Sequence, residues 1–467
     1  MPISRRTLIG VIAAIVLLVA LFVSWPTLTN EHDYKNFDQS IFTLYNSQSY
    51  LTIIERYKAY DWAQESYPDT LMVYCSSLVE AKSPIPSNLK PPSAPRHIAQ
   101  FAEAYVMMLQ GHVRKSRSIF DNLITQSSGK AWGYVGLLEL AIYTQNITSM
   151  EPLLSGLSSQ KEKGSWIAER ALPYYSLMYH YYMANYEEAV PLAKKLAEDL
   201  QDADEQSAII NISLLLRENH FAQAREALQN AYSLYGETQD LILTESDILL
   251  LRSGFESSAQ FLEEKTKTYP KKWKVNQQYA FYLLETDRQS VVDEAVKIIM
   301  ETAQTRLHDL PTVIIAAGAL LDFGYYKDAG KLMDELCRLP APPTEFMTYN
   351  LLMAKADSLS QRQYSLKNNL AKARKMSPMD PSMLWLSYRV AMSEGNSEVA
   401  LDILRKLLHL DPYNQAALAS MAEMYAKLEQ WDKVREPAQK LLSSKRHVNH
   451  KLVEEMRAYV AQASSVK

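Results

Sequence analysis

The sequence predicts an all-α protein, an α-solenoid of about ten to eleven helical hairpins preceded by one N-terminal transmembrane helix. Three observations predict it. A small residue recurs at Ala189, Ala224, Ala259, Ala295, Ala329 and Ala400, with Val434 in the next slot, at steps of 35, 35, 36, 34, 71 and 34 residues. A near-constant step of this size marks stacked two-helix units, because a lone hairpin has nothing to cover its apolar face. Glycine is scarce, 13 among 467 residues, which suits long helices and few tight β-turns. Finally, Thr7 to Trp25 is apolar, with no polar side chain from Leu8 to Val23.

In chain order, residues 1–6 read as a cytoplasmic tail and 7–25 as a transmembrane signal anchor. Nineteen residues of helix span about 28 Å, close to the hydrocarbon thickness. Trp25 ends the run where an interfacial aromatic belongs, and Pro26 stops the helix. Arg5 and Arg6 precede it; Glu31, Asp33 and Asp38 follow, with Lys35 the one cation among them. The positive-inside rule then predicts a single-pass inner-membrane protein, its N-terminus in the cytoplasm and its body periplasmic or otherwise extracytoplasmic. Phe22 and Trp25 crowd the place where signal cleavage wants small residues, Thr27-Leu28-Thr29 is a poor substitute, and no Cys follows, so the anchor reads as uncleaved. Ser4 to Ile9 resembles a twin-arginine export signal but lacks its usual Phe, and two topology-setting arginines explain the same residues.

Residues 36–82 read as a membrane-proximal helical module. Residues 83–96 carry Pro84, Pro86, Pro91, Pro92 and Pro95 and form a Pro-rich linker. Residues 97–445 are the repeat array. Each periodic small residue begins a second helix and lets the two helices of its hairpin approach closely. Before it lies a turn with Asn185, Asn219 or Gly324, residue types that tolerate left-handed backbone, and then an aromatic expected in the hairpin corner. Ser155–Ser165, with two glycines and several serines, reads as a break that lengthens the step from Met150 to Ala189. Pro340, Pro342 and Pro343 mark an ordinary inter-repeat turn, and Pro437 is expected to kink a second helix. Residues 446–467 read as a capping helix and tail.

The clearest unit is Pro381–Pro412, with Leu384, Tyr388 and Ala391 on its first helix, Gly395 at the turn, Ala400 and Leu404 on its second, and Asp411-Pro412 closing it. On these positions and the period, the chain resembles the tetratricopeptide repeat (TPR) family over roughly 97–445, although the family's Trp-Leu-Gly run is intact in no unit. The resemblance implies a right-handed solenoid whose first helices line a concave groove that binds peptides or protein segments, without catalysis. On that basis Tyr174, Met178 and Tyr181, which share one helix face, are the candidate groove stripe. Phe101, Tyr105 and Met108 repeat the theme, as do Trp385, Arg389 and Met392. Such side chains are also the ordinary material of packing between repeats. The Lys, Asn and Arg set with which some TPR proteins grip a chaperone's C-terminal carboxylate is replaced here by Tyr, Phe, Trp and Met.

Composition narrows the function class. Without Arg5 and Arg6, 47 basic residues face 53 acidic ones, a mildly acidic body with no Lys/Arg block, so nucleic acid is not an expected partner. Cys75 and Cys337 form no CxxC pair and read as two buried small apolar residues. There is no phosphate loop, no H-E-x-x-H and no G-x-S-x-G. His447 and His450 lack a nearby third ligand for a metal. The expectation is therefore a non-enzymatic scaffold with no cofactor, no metal and no small-molecule substrate. It would bind protein or peptide partners in the envelope, and an adaptor on the cytoplasmic face is the alternative.

Overall fold

The computed structural model describes residues 44–45, 48–58, 68–82, 95–198, 205–285, 289–339 and 342–465, and among these every regular element is a helix. The expected anchor at 7–25 and most of the Pro-rich linker lie outside the described residues, and no described helix is long and apolar enough to cross a membrane. Contacts divide the chain into two compact units, Met1–Ile85 and Pro86–Lys467, a boundary inside the Pro-rich stretch. In the first unit α1 (Tyr50–Lys58) pairs with α2 (Pro68–Glu80), burying Ile53, Leu71 and Cys75. Cys75 is buried as expected, and burial pushes its thiol well above the usual range. Cys337 corrects the same expectation: it ends a helix on the exposed surface.

The second unit is ten hairpins and a cap. Its helices pair as α3 (Arg96–Leu109) with α4 (Val113–Thr125), α5 (Lys130–Tyr143) with α6 (Met150–Glu162), and α7 (Trp166–Tyr182) with α8 (Tyr186–Glu198). Then come α9 (Glu205–Arg217) with α10 (Phe221–Tyr235), α11 (Gln239–Ser253) with α12 (Phe255–Thr268), and α13 (Trp273–Leu283) with α14 (Gln289–Thr305). The last four hairpins are α15 (Leu310–Asp322) with α16 (Tyr326–Cys337), α17 (Met347–Leu359) with α18 (Gln363–Met376), α19 (Pro381–Ser393) with α20 (Ser397–Leu410), and α21 (Gln415–Lys427) with α22 (Trp431–Leu442). Helix α23 (His450–Ser465) caps the array against α22. α22 runs through Pro437, whose ring is buried. This is a helical-repeat array of TPR-like hairpins.

The fourth residue of the second helix is the close-contact point. Ser116, Ala189, Ala224, Ala329, Ala400 and Val434 occupy it, all fully buried. Ala295 is buried one turn beyond Val292, which holds the fourth place in α14. Ala259 is a correction. It is only half-buried, and Ser258 fills the slot at 0% exposure. Ser258 is small enough for the slot, and its hydroxyl is satisfied there by the Ser246 carbonyl at 2.8 Å and the Ser246 hydroxyl at 2.7 Å. The blank between Ala329 and Ala400 is filled by Leu366, a residue too large for a rule based on small side chains.

Ser155–Ser165 is a second correction. Most of it is helix α6, with Gly164 turning the chain at φ +81°. Gly156 serves packing instead, since a Cβ there would stand 2.3 Å from the ring of Tyr134 on α5. The step from Met150 is long because Met150 opens α6, whereas the fourth residue of that helix is Leu153, an ordinary 36 residues before Ala189. Each described turn between the helices of a hairpin places one residue in the left-handed region: Gly111, Gln145, Ala184, Asn219, Gly254, Gly324, Gln361, Gly395 and Glu429. In the third hairpin that residue is Ala184 and not Asn185, at a cost of about 1–2 kcal/mol for a Cβ in this region.

First helices of successive hairpins also pack on one another, α3 on α5, α5 on α7, α7 on α9, α9 on α11 and α11 on α13, and this puts them on the inside of the curve. The curve closes. Turns inside the first five hairpins touch the junctions that follow the sixth to tenth. A Cβ on Gly111 would meet the Leu310 side chain at 2.9 Å. The Met347 amide donates to the Thr144 carbonyl at 3.0 Å, and the Tyr143 and Phe346 rings meet edge-on at 5.3 Å. Thr148 Oγ1 donates to the Lys375 carbonyl, and Arg114 pairs with Glu345. Tyr186 Oη donates to the Leu410 carbonyl at 3.3 Å, and Arg217 donates to the His409 and Leu410 carbonyls. Arg446 donates to Asn219 Oδ1 at 2.9 Å, the Leu216 carbonyl at 3.1 Å and Asp411 at 2.6 Å. The His447 amide donates to the Leu251 carbonyl at 2.8 Å. Each contact joins a hairpin to one about six further on, so successive superhelical turns are stitched along a continuous seam. Tyr186, expected in its own hairpin corner, lies on this seam, with the Arg217 guanidinium 4.2 Å over its ring.

Candidate functional site

The inner wall is built from first helices, and its character changes along the array. At its start it is packed shut. Phe101 is fully buried, with the rings of Trp132 at 5.0 Å and Phe120 at 5.5 Å. Tyr105 stacks on it at 6.0 Å, and Met108 is 2% exposed. Phe101 and Met108 are thus packing residues, because the aromatic-rich α3 turns this face onto α4 and α5. Tyr105 is buried too, but its hydroxyl lies 3.5 Å from Glu139 Oε2. Tyr175 donates to Glu139 Oε1 at 2.7 Å. One carboxylate on α5 thereby ties three successive first helices together.

From α7 onward the wall opens. Met178 is buried and leaves the proposed stripe. Tyr174 is half-buried, its ring 4.9 Å from Tyr175. Tyr181 is half-buried and hydrogen-bonded to Ser213 on α9; burial raises its hydroxyl pKa, and the nearby Asp247 charge adds to that shift. Tyr182 is more informative. Its side chain reaches solvent at 36% exposure, yet desolvation pushes its hydroxyl up to about 12. Asp247 on α11 shows the same pairing, an exposed side chain whose carboxyl is held up to about 6 by desolvation alone. Glu285, beyond the end of α13, is again exposed and again shifted upward by desolvation. A side chain that water can touch but that protein surrounds lies in a concavity, where the carboxylate loses much of its hydration. Asp247 and Glu285 make no side-chain hydrogen bond or ion pair with any described residue, which distinguishes them from Asp240, bridged to Lys274 at 2.8 Å.

Further along, Lys355 on α17 is occupied by Asp322 on α15. Arg389 is exposed on α19, whereas Trp385 and Met392 pack against the core of the last hairpins, the Trp385 ring edge-on to Tyr388 at 5.6 Å. Of the nine expected groove residues, then, Arg389 is exposed, Tyr174, Tyr181, Trp385 and Met392 are half-buried, and the other four are buried. The residues that sequence reasoning missed are Tyr182, Asp247 and Glu285. Tyr182 lies four residues after Met178 and so fits the stripe spacing as well as Tyr181 does; spacing alone does not rank the two. The two acids resemble any solvated helix carboxylate until the neighbouring helices enclose them.

No protein-family model and no curated protein matches the chain. Among solved structures, the chain is similar to a monomeric mutant of IFIT1 with Gppp-AAAA, at 9% identity and a TM-score of 0.36, over 88% of this chain and 94% of that one. At that score the likeness carries no argument, and the helical-repeat fold stands on the hairpins, turns and seam of the chain itself.

Proposed function

We propose that this protein is a non-enzymatic scaffold, held in a membrane by residues 7–25, that binds protein partners on the inner wall of its array during assembly of an envelope or secreted complex. The observation that carries the reading is the wall from α7 to α11, where the half-buried Tyr174 and exposed Tyr182 share α7 with Tyr181, and the unpaired Asp247 carboxyl lies close to Tyr181. Tyrosine offers large contact area with little entropy lost on binding. An unpaired, poorly hydrated carboxylate is a cost to the free protein that a partner's donor removes. The charge bias around the apolar run supports placing this wall on the side opposite the cytoplasm.

The test is crosslinking in membranes followed by recovery of the partner, with Tyr174→Ala and Tyr182→Ala combined. Recovery is expected to vanish while the melting temperature stays within a few degrees of the parent. Undiminished recovery overturns the wall as the binding surface. A C-terminal alkaline phosphatase fusion is expected to be active and a cytoplasm-dependent fluorescent fusion dark; the reverse pattern makes the protein a cytoplasmic-face adaptor.

A further inference from the structure

We infer that the inner wall takes an extended, lysine- or arginine-bearing segment of a protein chain, which enters along the axis of the array and not through its side. This rests on the scaffold reading above and names the class of partner. The seam supplies the first argument. Contacts from Gly111 to His447 join each turn of the superhelix to the next, by backbone hydrogen bonds at Met347 and His447 and by the buried Arg446 cluster. Along that line the groove has a closed flank, and a folded partner approaching it meets a wall of turns.

Width supplies the second. Packed helices lie about 8–10 Å apart, so a ring of six inner helices has axes about 18 Å across. Side chains reach about 5 Å from each axis, which leaves a lumen of about 8 Å. An α-helix with side chains is about 10–12 Å wide and does not fit, whereas a single extended chain, about 5 Å thick between neighbouring strands, does.

Charge supplies the third. Asp247 lies on the inner helix α11 close to Tyr181 of α7, and Glu285 follows the end of α13; both are exposed, neither makes a hydrogen bond or ion pair with a described residue, and Tyr182 offers an accessible aromatic face on α7. A cationic side chain satisfies the acids directly and is attracted to the ring face. A phosphate backbone is repelled by the same acids.

The experiment uses the full chain in detergent micelles and measures fluorescence anisotropy of a labelled, unstructured lysine–glycine–serine peptide. Comparison probes are the glutamate version, the lysine peptide with a folded domain fused to one end or to both ends, and a single-stranded RNA. The lysine peptide, free or blocked at one end, is expected to bind; the doubly blocked peptide, the glutamate peptide and the RNA are not. Asp247→Asn should weaken the lysine peptide by about tenfold without lowering the melting temperature. Equal binding of the doubly blocked peptide overturns axial entry. Unchanged affinity in Asp247→Asn, preference for the glutamate peptide or RNA, or no binding of the lysine peptide at all overturns the cationic partner. In each case, the Tyr174 and Tyr182 crosslinking result decides the scaffold reading separately.

Discussion

The turns inside the first five hairpins and those inside the last four have the same backbone and different fates. Gly254 and Gly324 both sit at positive φ, +92° and +83°, between the helices of their hairpins. A Cβ on Gly254 would strike the His447 ring at 2.7 Å, while nothing lies within 4 Å of the corresponding point on Gly324. Tyr186 and Tyr326 both open a second helix. Tyr186 is covered, bonded to the Leu410 carbonyl and capped by Arg217, whereas Tyr326 is 57% exposed. Phe323, Leu359, Tyr364 and Leu428 stand in the open on the same late edge. The difference teaches that repeat geometry makes every turn alike, and that only superhelical closure decides which ones are buried.

Seven substitutions, grouped in four tests, probe the comparison. Arg446→Ala removes a 6%-exposed guanidinium and leaves Asn219 and the Leu216 carbonyl without their donor. It should cost about 3–5 kcal/mol. Arg338→Ala, which breaks an exposed pair with Glu335, should cost under about 0.5 kcal/mol. Urea denaturation of the two variants reads the contrast, and equal midpoints would mean the seam is not a stabilising interface. Next, Gly254→Ala should cost about 2–4 kcal/mol, combining left-handed strain with the clash on His447. Gly324→Ala carries the strain alone, about 1–2 kcal/mol; hydrogen exchange in α23 should quicken only for the former.

Third, Tyr186→Ala is expected to lower stability by about 2 kcal/mol through the lost hydrogen bond and cation–π contact. Tyr326→Ala should stay within about 0.5 kcal/mol, and calorimetric melting distinguishes the two. The smallest effect lies on the inner wall that both halves share. The Asp247 carboxyl is held up to about 6, above its ordinary 3.8, so the folded protein binds that proton more tightly than the unfolded chain. Ionisation therefore costs stability as pH rises from 3.8 toward 6, and the cost is complete above that. Asp247→Asn should raise the melting temperature at pH 7.5 and leave it unchanged at pH 3.5, by under about 1 kcal/mol because the side chain is partly hydrated. A gain that is the same at both pH values would show that the carboxyl is not desolvated.

The hairpins were legible because their cause is local. A near-constant spacing of small residues and breaker residues between helices fix where chain segments turn and which face packs. The slips were local too. The even spacing points to Ala259, whereas Ser258 fills the slot, because Ser246 satisfies its hydroxyl in an otherwise dry contact. The glycines and serines of 155–165 looked like a break until Gly156 was found against the Tyr134 ring. The site was less legible. Aromatic stripes such as Phe101 and Met108 have the same spacing whether they face a lumen or a neighbouring helix, so periodicity alone does not separate recognition from packing.

The sequence by itself determined a chain of helical hairpins, their repeat length and an apolar segment ahead of them, since hydrophobic period and turn chemistry act over a few residues to a few tens. The tertiary structure alone decided that the array closes on itself, that Arg446 reaches Asn219 across 227 positions, and that Asp247 is enclosed. The physical reason is accumulation: a small fixed rotation per hairpin, invisible in any one repeat, brings residues some six repeats apart into contact and turns a solvated carboxylate into a desolvated one.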